Sequence, residues 1–405
     1  MKPYLHHAHV MLRQDEREAK LLVSEEPIGR PEFREGFRFF DRKVVGTLDN
    51  LVLEFNVCAY SNWRVILDES WTLLAKRAKV SFRAKTTKYV SLHQLLSYVF
   101  SSLRRNFVGV EMTSVEVTKK WTTYNFFLER PQDVAIFEKN AKWSFGVIVD
   151  GQDANSFSQL LTSIELAFQF HLDDCELIVN GPEESYLKFI ALSKIPIKIL
   201  HSDTVNERLA RITRKKNDIV AAARYENIAI LHNRYAIAEK WLEFFNRFGY
   251  DFDVVCGRQV YEGAPFYDWV ATGNAWGPSW SLTLDSDDFH PNLYVNGGLI
   301  IAKKSVLYEI PLNDYLFWNQ CEDIEHSRRI LNAGITPRYM ALPVVRVLSF
   351  RAGYETGFRT SSHIRKMLFG YDFGVSHMNP LYKRVLSWKN RFEKYTRRLK
   401  SWTRV

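Results

Sequence analysis

Between Trp143 and Tyr235 the chain runs in short apolar blocks separated by polar breaks. "WSFGVIVDG" is apolar almost throughout until Asp150-Gly151, the pattern of a strand buried on both faces. "SFSQLLTSIELAFQF" then spaces its apolar residues for a helix. "CELIVNGPEE" is a second buried strand, ending at Asn180-Gly181-Pro182, and "IPIKILHSD" is a third. "ERLARITRKKNDIVAAA" predicts a second helix and "NIAILHNRY" a fourth strand. That order, with short connections, predicts an α/β fold: a mostly parallel sheet with helices on both faces. Ligands of such sheets sit outside the carboxyl ends of the strands. The polar breaks at Asp150, at Asn180 and at His232-Asn233-Arg234 fall on that edge.

Upstream the pattern is shorter in range. "KVVGTLDNLVLEFNVCAY" and "WTLLAKRAKVSFRA" contain strands, "SLHQLLSYVFSSLRR" has helical spacing, and "FVGVEMTSVEVTKKWTTYNFFLER" alternates as a hairpin does. They predict a smaller α/β domain over 43–140. It loosely resembles the C-terminal half of a methyltransferase sheet but lacks the glycine-rich cofactor loop, so no activity is assigned to it. Pro131 and the polar stretch after it predict a linker, and residues 1–42 predict a polar extension. His6, His7 and His9 are spaced poorly for a closed metal site.

Length changes little here: 405 residues exceed what one core supports, so two domains with extensions are expected. Charge changes more. The net charge is +9, and residues 381–405 carry nine Lys or Arg against Glu393 alone, or +8 of that total. The body is nearly neutral, which argues against a nucleic-acid partner. In the tail, after a connecting segment over 351–380, Val385, Trp388, Phe392, Tyr395, Leu399 and Trp402 recur at steps of three and four. That is one stripe of a basic amphipathic helix, suited to an anionic membrane surface or to the seam of a homo-oligomer. Cys58, Cys175, Cys256 and Cys321 are scattered without a C-x-x-C pair, which disfavours zinc and suits a reducing compartment. The first twenty residues hold no long apolar run, and no run of eighteen apolar residues occurs. Together these features point to a cytoplasmic location, peripheral on the inner face of a membrane.

Two further stretches carry candidate chemistry. "NGGLIIAKKSVL" places Asn296, Gly297 and Gly298 where backbone can approach a ligand, or where a simple turn is needed. "WNQCEDIEHSRRILNAGI" sets Glu322, Asp323 and Glu325 in the first turn of a helix, where the dipole favours carboxylates in any protein. "TRKKN" (213–217) taken alone is an ordinary charged helix face.

In this order and spacing, residues 143–350 resemble a GT-A-fold, Rossmann-like glycosyltransferase of the large family-2-like group. The resemblance implies a hexosyl transfer from a UDP- or GDP-sugar to a glycan or lipid-linked acceptor in surface polysaccharide synthesis. It implies Asp323 as the base of an inverting reaction, with Glu322 reaching a sugar. It places Asp150, Asn180, Lys216, Asn217, Asn296, Gly297 and Gly298 around the nucleotide sugar. The family keeps Asp-x-Asp, a ligand for Mg²⁺ or Mn²⁺, where this chain has His232, Asn233 and Arg234. Asn and Arg are poor hard-cation ligands, whereas Arg offers a planar fork to phosphate. A divalent metal is thereby put in doubt. Asp251, Asp253, Asp285, Asp287 and Asp288 are loop acids that could restore it. Trp269, Trp276 and Trp280 suit a sugar-stacking wall or the packing of a long loop. Two alternatives stay open: a dead nucleotide-sugar-binding scaffold and a methyltransferase-related protein.

Overall fold

The computed structural model describes residues 9–15, 17–24, 44–60, 62–87, 90–131, 141–201, 204–272, 281–284, 290, 292–317, 320–350 and 358–359. Several sequence expectations fall outside them: the linker at 132–140, Trp276, Trp280, Asp285, Asp287, Asp288, Trp318, nearly all of the connecting segment over 351–380, and the basic stripe after 381.

The first sheet holds β1 (His9–Asp15), β2 (Glu18–Ser24), β3 (Leu48–Asn56), β4 (Leu74–Ala84), β5 (Gly109–Val117) and β6 (Thr122–Glu129), in the order β1-β2-β3-β4-β6-β5. Residues 9–24, expected to belong to a polar extension, instead form a hairpin whose second strand runs parallel to β3. Their alternating charges conceal an edge strand, and Arg17 clamps the hairpin to Asp49 at 2.8 Å. One face of the sheet is covered by α1 (Trp63–Leu73) and α2 (Leu92–Asn106). Leu51, Leu53, Val80, Phe82, Phe126 and Leu128 pack there against Trp63, Ile66, Trp71, Leu95 and Val99. Ser91 starts α2 where its hydroxyl accepts from Gln94 N at 3.0 Å.

The second sheet follows in chain order. Its side of the molecule holds β7 (Trp143–Ile148), α3 (Ala154–Ala167), β8 (Cys175–Asn180), α4 (Leu187–Ile190), β9 (Ile197–Leu200), α5 (Thr204–Arg208), α6 (Ile212–Ala222), β10 (Asn227–His232), β11 (Tyr235–Ile237), α7 (Trp241–Phe248), β12 (Val254–Tyr261) and β13 (Ala264–Pro265). After β14 (Val270–Thr272), β15 (Ser281–Thr283) and β16 (Leu293–Tyr294) come β17 (Leu299–Lys303), α8 (Lys304–Glu309), α9 (Glu322–Asn332), β18 (Arg338–Val347) and β19 (Phe358–Arg359). The strand order is β11-β18-β12-β17-β10-β7-β8-β9, with β13 added to β12. From β10 to β9 every pair is parallel, while β17 runs antiparallel to both β10 and β12. The chain is therefore an α/β protein, with a parallel block and one reversed strand beside it.

Helices cover both faces for a visible reason. Phe145 packs against Phe168 and Trp241, beyond α3 and in α7. The next residue, Gly146, faces the other way, and a Cβ there would fall inside the side chain of Ile219 on α6. The short third sheet, β16-β14-β15-β19, lies over α9 through Val270, Tyr294 and Ile324.

The two large sheets meet behind α9. Gly334 ends that helix at φ +82°, and a Cβ there would run into the backbone of Ser101 and Ser102. Arg338 forms a buried ion pair with Glu69, and Arg105 reaches Asp253 at 3.2 Å and Glu309 at 2.8 Å. Tyr98 bridges Thr336 at 2.5 Å and Asp68 at 2.7 Å. Burial pushes the Asp68 carboxyl up to about 7, against the hydrogen bond from Tyr98 and the charge of Arg338.

An acid held protonated by the fold favours folding at low pH. The contribution of Asp68 is full below about pH 4 and is lost as pH rises toward 7, with a span on the order of 4 kcal/mol. Asp68→Asn should therefore gain on the parent as pH rises from 4 to 8 in urea unfolding. A difference between the two that stays flat across that range would refute the buried carboxyl.

Candidate active site

Strand register brings the polar breaks together. β7 and β10 pair with Ile148 opposite His232, so Asp150 and Asn233 leave the sheet at one edge. β17 enters at the same edge because it runs the other way: Leu299 lies opposite Leu231, and His232 N donates to Gly298 O at 3.2 Å. The turn before β17 is shaped by Asn296, whose Oδ1 accepts from Gly298 N at 2.9 Å. Close approach excludes a side chain at Gly298 and crowds one at Gly297. A Cβ on Gly298 would lie 2.5 Å from the Tyr235 hydroxyl. A Cβ on Gly297 would lie 3.2 Å from Asp323 Cβ, 3.3 Å from Lys216 Nζ and 3.4 Å from Glu322 Oε1.

The cluster is thus Lys216, His232, Arg234, Asn296, Gly297, Gly298, Glu322 and Asp323. Gly297 N donates to Asp323 Oδ2 at 3.1 Å, and Ile324 N donates to Oδ1 at 2.8 Å. Lys216 Nζ donates to Gly297 O at 2.9 Å. Burial raises the Asp323 carboxyl, opposed by the Gly297 N–H, the Lys216 ammonium and the Ile324 N–H. Glu322 is raised by burial and by Asp323, and lowered by Lys216. Burial in turn lowers Lys216, opposed by the two carboxylates. The two carboxylates oppose each other, and Lys216 is the group that offsets the burial of both. His232 is held well below its usual value by burial first, then by Lys216 and Arg234, so its ring is neutral. Its Nε2 is buried and has no hydrogen-bond partner.

The other expected residues divide. Asp150 is exposed, and its Oδ1 accepts from Gln152 N at 3.0 Å. Asn233 Nδ2 donates to Gln152 O at 3.1 Å, which ties the two loop ends together. Asn180 is buried and donates to Lys215 O at 3.1 Å, while its Oδ1 is without a partner. Asn217 was expected at the nucleotide. Its amide instead donates to Leu312 O and Asp314 Oδ1, at 2.8 and 2.7 Å, and accepts from Leu312 N at 2.9 Å. Lys216 was expected on the diphosphate and is instead buried beneath Gly297. Trp269 is fully buried against Tyr339, with ring centroids 5.1 Å apart, so it is no stacking wall. Asp253 pairs with Arg105 behind α9, far from the cluster's edge.

Sequence reasoning missed Tyr235, Tyr267 and Cys321. Tyr267 and Cys321 adopt left-handed backbone, φ +41° and +62°, and pack around Ile324 beside the carboxylates. Such strain in non-glycine residues gathers at functional sites. No local signal in the sequence marks it.

A metal is poorly served at the Asp-x-Asp position. His232 turns a half-buried neutral ring there, beside two cations, which is the wrong donor set for a hard dication. Among the described residues no three His, Cys, Asp or Glu side chains are grouped to hold a metal.

No protein-family model and no curated protein matches the sequence. Among solved structures, the chain is similar to S. aureus TarS. For the crystal structure of TarS 1-349, identity is 14% and the TM-score 0.36, over 51% of this chain and 60% of that one. For the same form in complex with UDP-GlcNAc the figures are 13%, 0.38, 53% and 60%. For a longer TarS structure they are 12%, 0.35, 51% and 37%. The chain thus spans 60% or less of the length of these structures. At such scores the likeness carries no weight for the chemistry, which rests on the carboxylate pair, its lysine and the glycine turn of this chain.

Proposed function

We propose that the chain is a glycosyltransferase that moves a sugar, with inversion, from a nucleotide sugar to a hydroxyl of a glycan or glycolipid in surface polysaccharide synthesis. The observation that carries this reading is the Asp323 carboxylate, fixed by two backbone N–H groups at a helix N-terminus, beside a glycine turn on the strand edge. In this reading Asp323 takes the proton of the acceptor hydroxyl as that oxygen attacks the anomeric carbon. The bond from that carbon to the diphosphate breaks, and the nucleoside diphosphate leaves. Glu322 receives a sugar hydroxyl. In this reading Arg234 faces the departing phosphates and supplies the positive charge that transition state needs. No step is assigned to a metal, because the donor set at His232 does not fit one.

Incubation with a panel of UDP- and GDP-sugars, with and without EDTA, tests the reading. Slow hydrolysis of one donor class supports it, and a chain inert to every donor, with or without acceptor glycans, refutes it. Arg234→Ala should weaken UDP or GDP about 10- to 100-fold while the free nucleoside binds unchanged, the scale of a charge-assisted hydrogen bond to phosphate. Calorimetry that finds diphosphate and nucleoside affected alike would remove Arg234 from this role. For the tail beyond 381, the same reading assigns contact with an anionic membrane at about 1 kcal/mol per cation. Deleting 381–405 should release the protein from anionic liposomes, and full-length protein that ignores them at low salt would overturn the assignment.

A further inference from the structure

We infer that Lys216 is a positioning residue for Asp323: through Gly297 it aligns the carboxylate and balances its charge, and it does not touch the nucleotide. The inference rests on the reading of Asp323 as the base.

Lys216 is 0% exposed, so its ammonium cannot meet a phosphate in solution-facing space. Its Nζ holds the carbonyl of Gly297 at 2.9 Å, while the N–H of the same residue holds Asp323 Oδ2 at 3.1 Å. Gly297 is therefore held between a cation on its carbonyl and an anion on its N–H. A Cβ at 297 would press on both groups, at 3.2 Å from Asp323 Cβ and 3.3 Å from Lys216 Nζ. The groups facing Lys216 are Glu322 and Asp323 on α9, His232 on β10, and His326 one turn further along α9. Arg234 also bears on His232. Both histidines are held neutral by burial, and Lys216 is the cation that opposes the rise of both carboxyls.

The neighbouring residues on α6 serve the same end. Thr213 Oγ1 donates to Leu316 O at 2.7 Å, Arg214 pairs with Asp314 at 3.1 Å, and Asn217 holds Leu312 and Asp314. These hold the loop that delivers α9. One helix thus fixes both the approach to the carboxylates and their charge.

The test is Lys216→Met, followed by two readouts. The acid limb of kcat/KM should move up by roughly one to three pH units, since an opposite charge at this range lowers a carboxyl by that much. Activity lost at low pH should return at high pH, with KM nearly unchanged. Independently of activity, the Asp323 carboxyl, followed by ¹³C NMR and assigned with Asp323→Asn, should titrate higher in Lys216→Met by the same amount. A folded Lys216→Met in which that carboxyl titrates as in the parent overturns the inference. A shifted carboxyl in a protein inert to every donor leaves the coupling of Lys216 to Asp323 standing and overturns the base reading, and the positioning role with it. Should Lys216→Met fail to fold, the coupling is read from the other end. The Lys216 ammonium must then titrate lower in Asp323→Asn than in the parent, and an unmoved lysine would overturn the inference equally.

Discussion

Asp323→Asn should lower kcat about 10²- to 10⁴-fold, the usual contribution of a general base, while UDP or GDP binds within about twofold of the parent. The asymmetry follows from position. Asp323 meets Gly297 N and Ile324 N at the mouth of α9, whereas the residues proposed for the diphosphate sit at the end of β10. Removing the base should leave the nucleotide's own contacts alone. Asparagine also keeps the shape but turns one oxygen into a donor. Either Gly297 N or Ile324 N then faces an N–H, at a cost of about 1–3 kcal/mol in stability. A melting curve separates that loss from the loss of turnover. The parent's acid limb should lie above the ordinary aspartate range, because burial raises this carboxyl, and the limb should vanish in the variant. A variant keeping most of its kcat would remove Asp323 from the reaction. Glu322→Gln should cost less, since Glu322 lies outside the proton's path.

The parallel block was legible because β7, β8 and β10 are buried on both faces and so appear as unbroken apolar runs. The acids of α9 and the glycines before β17 were legible as types at a spacing. Their meeting was not, since it depends on β17 running against β10, and a strand's direction leaves no trace in its composition. Lys216 shows the limit most sharply. Within "TRKKN" it reads as one of three solvated cations, yet the fold buries it. Nothing within α6 forecasts this, because the carboxylates that make the burial tolerable arrive from a helix far along the chain. Asn217, one step on, turns about 100° around the helix and meets a loop instead of a ligand. The hairpin at 9–24 was missed for the opposite reason: edge strands are shielded by charge, which hides the period that would reveal them.

Arg338→Met should destabilise the fold by about 3–5 kcal/mol, the scale for removing one partner of a buried ion pair. Arg338 opens β18, and its guanidinium pairs with Glu69 on α1, which is almost wholly buried. Asp68, the next acid along α1, also faces that cation. The substitution leaves Glu69 buried without its cation and pushes Asp68 further toward its protonated form. Replacing both partners by apolar residues, Arg338→Met with Glu69→Met, should recover most of the loss, because a buried pair is nearly neutral against well-packed apolar side chains. Urea unfolding of the parent, the single variant and the double variant reads this directly. A single variant that loses less than about 1 kcal/mol would put the pair in the class of solvated surface bridges. The consequence reaches the candidate site along the backbone. Arg338 lies four residues beyond Gly334, the stop of α9 that presses on Ser102. The ion pair and the glycine together seat the carboxyl end of the helix whose first turn presents Glu322 and Asp323. Turnover in Arg338→Met should therefore fall even at temperatures where the variant is fully folded, while in the double variant, which restores the seat without the charges, it should return.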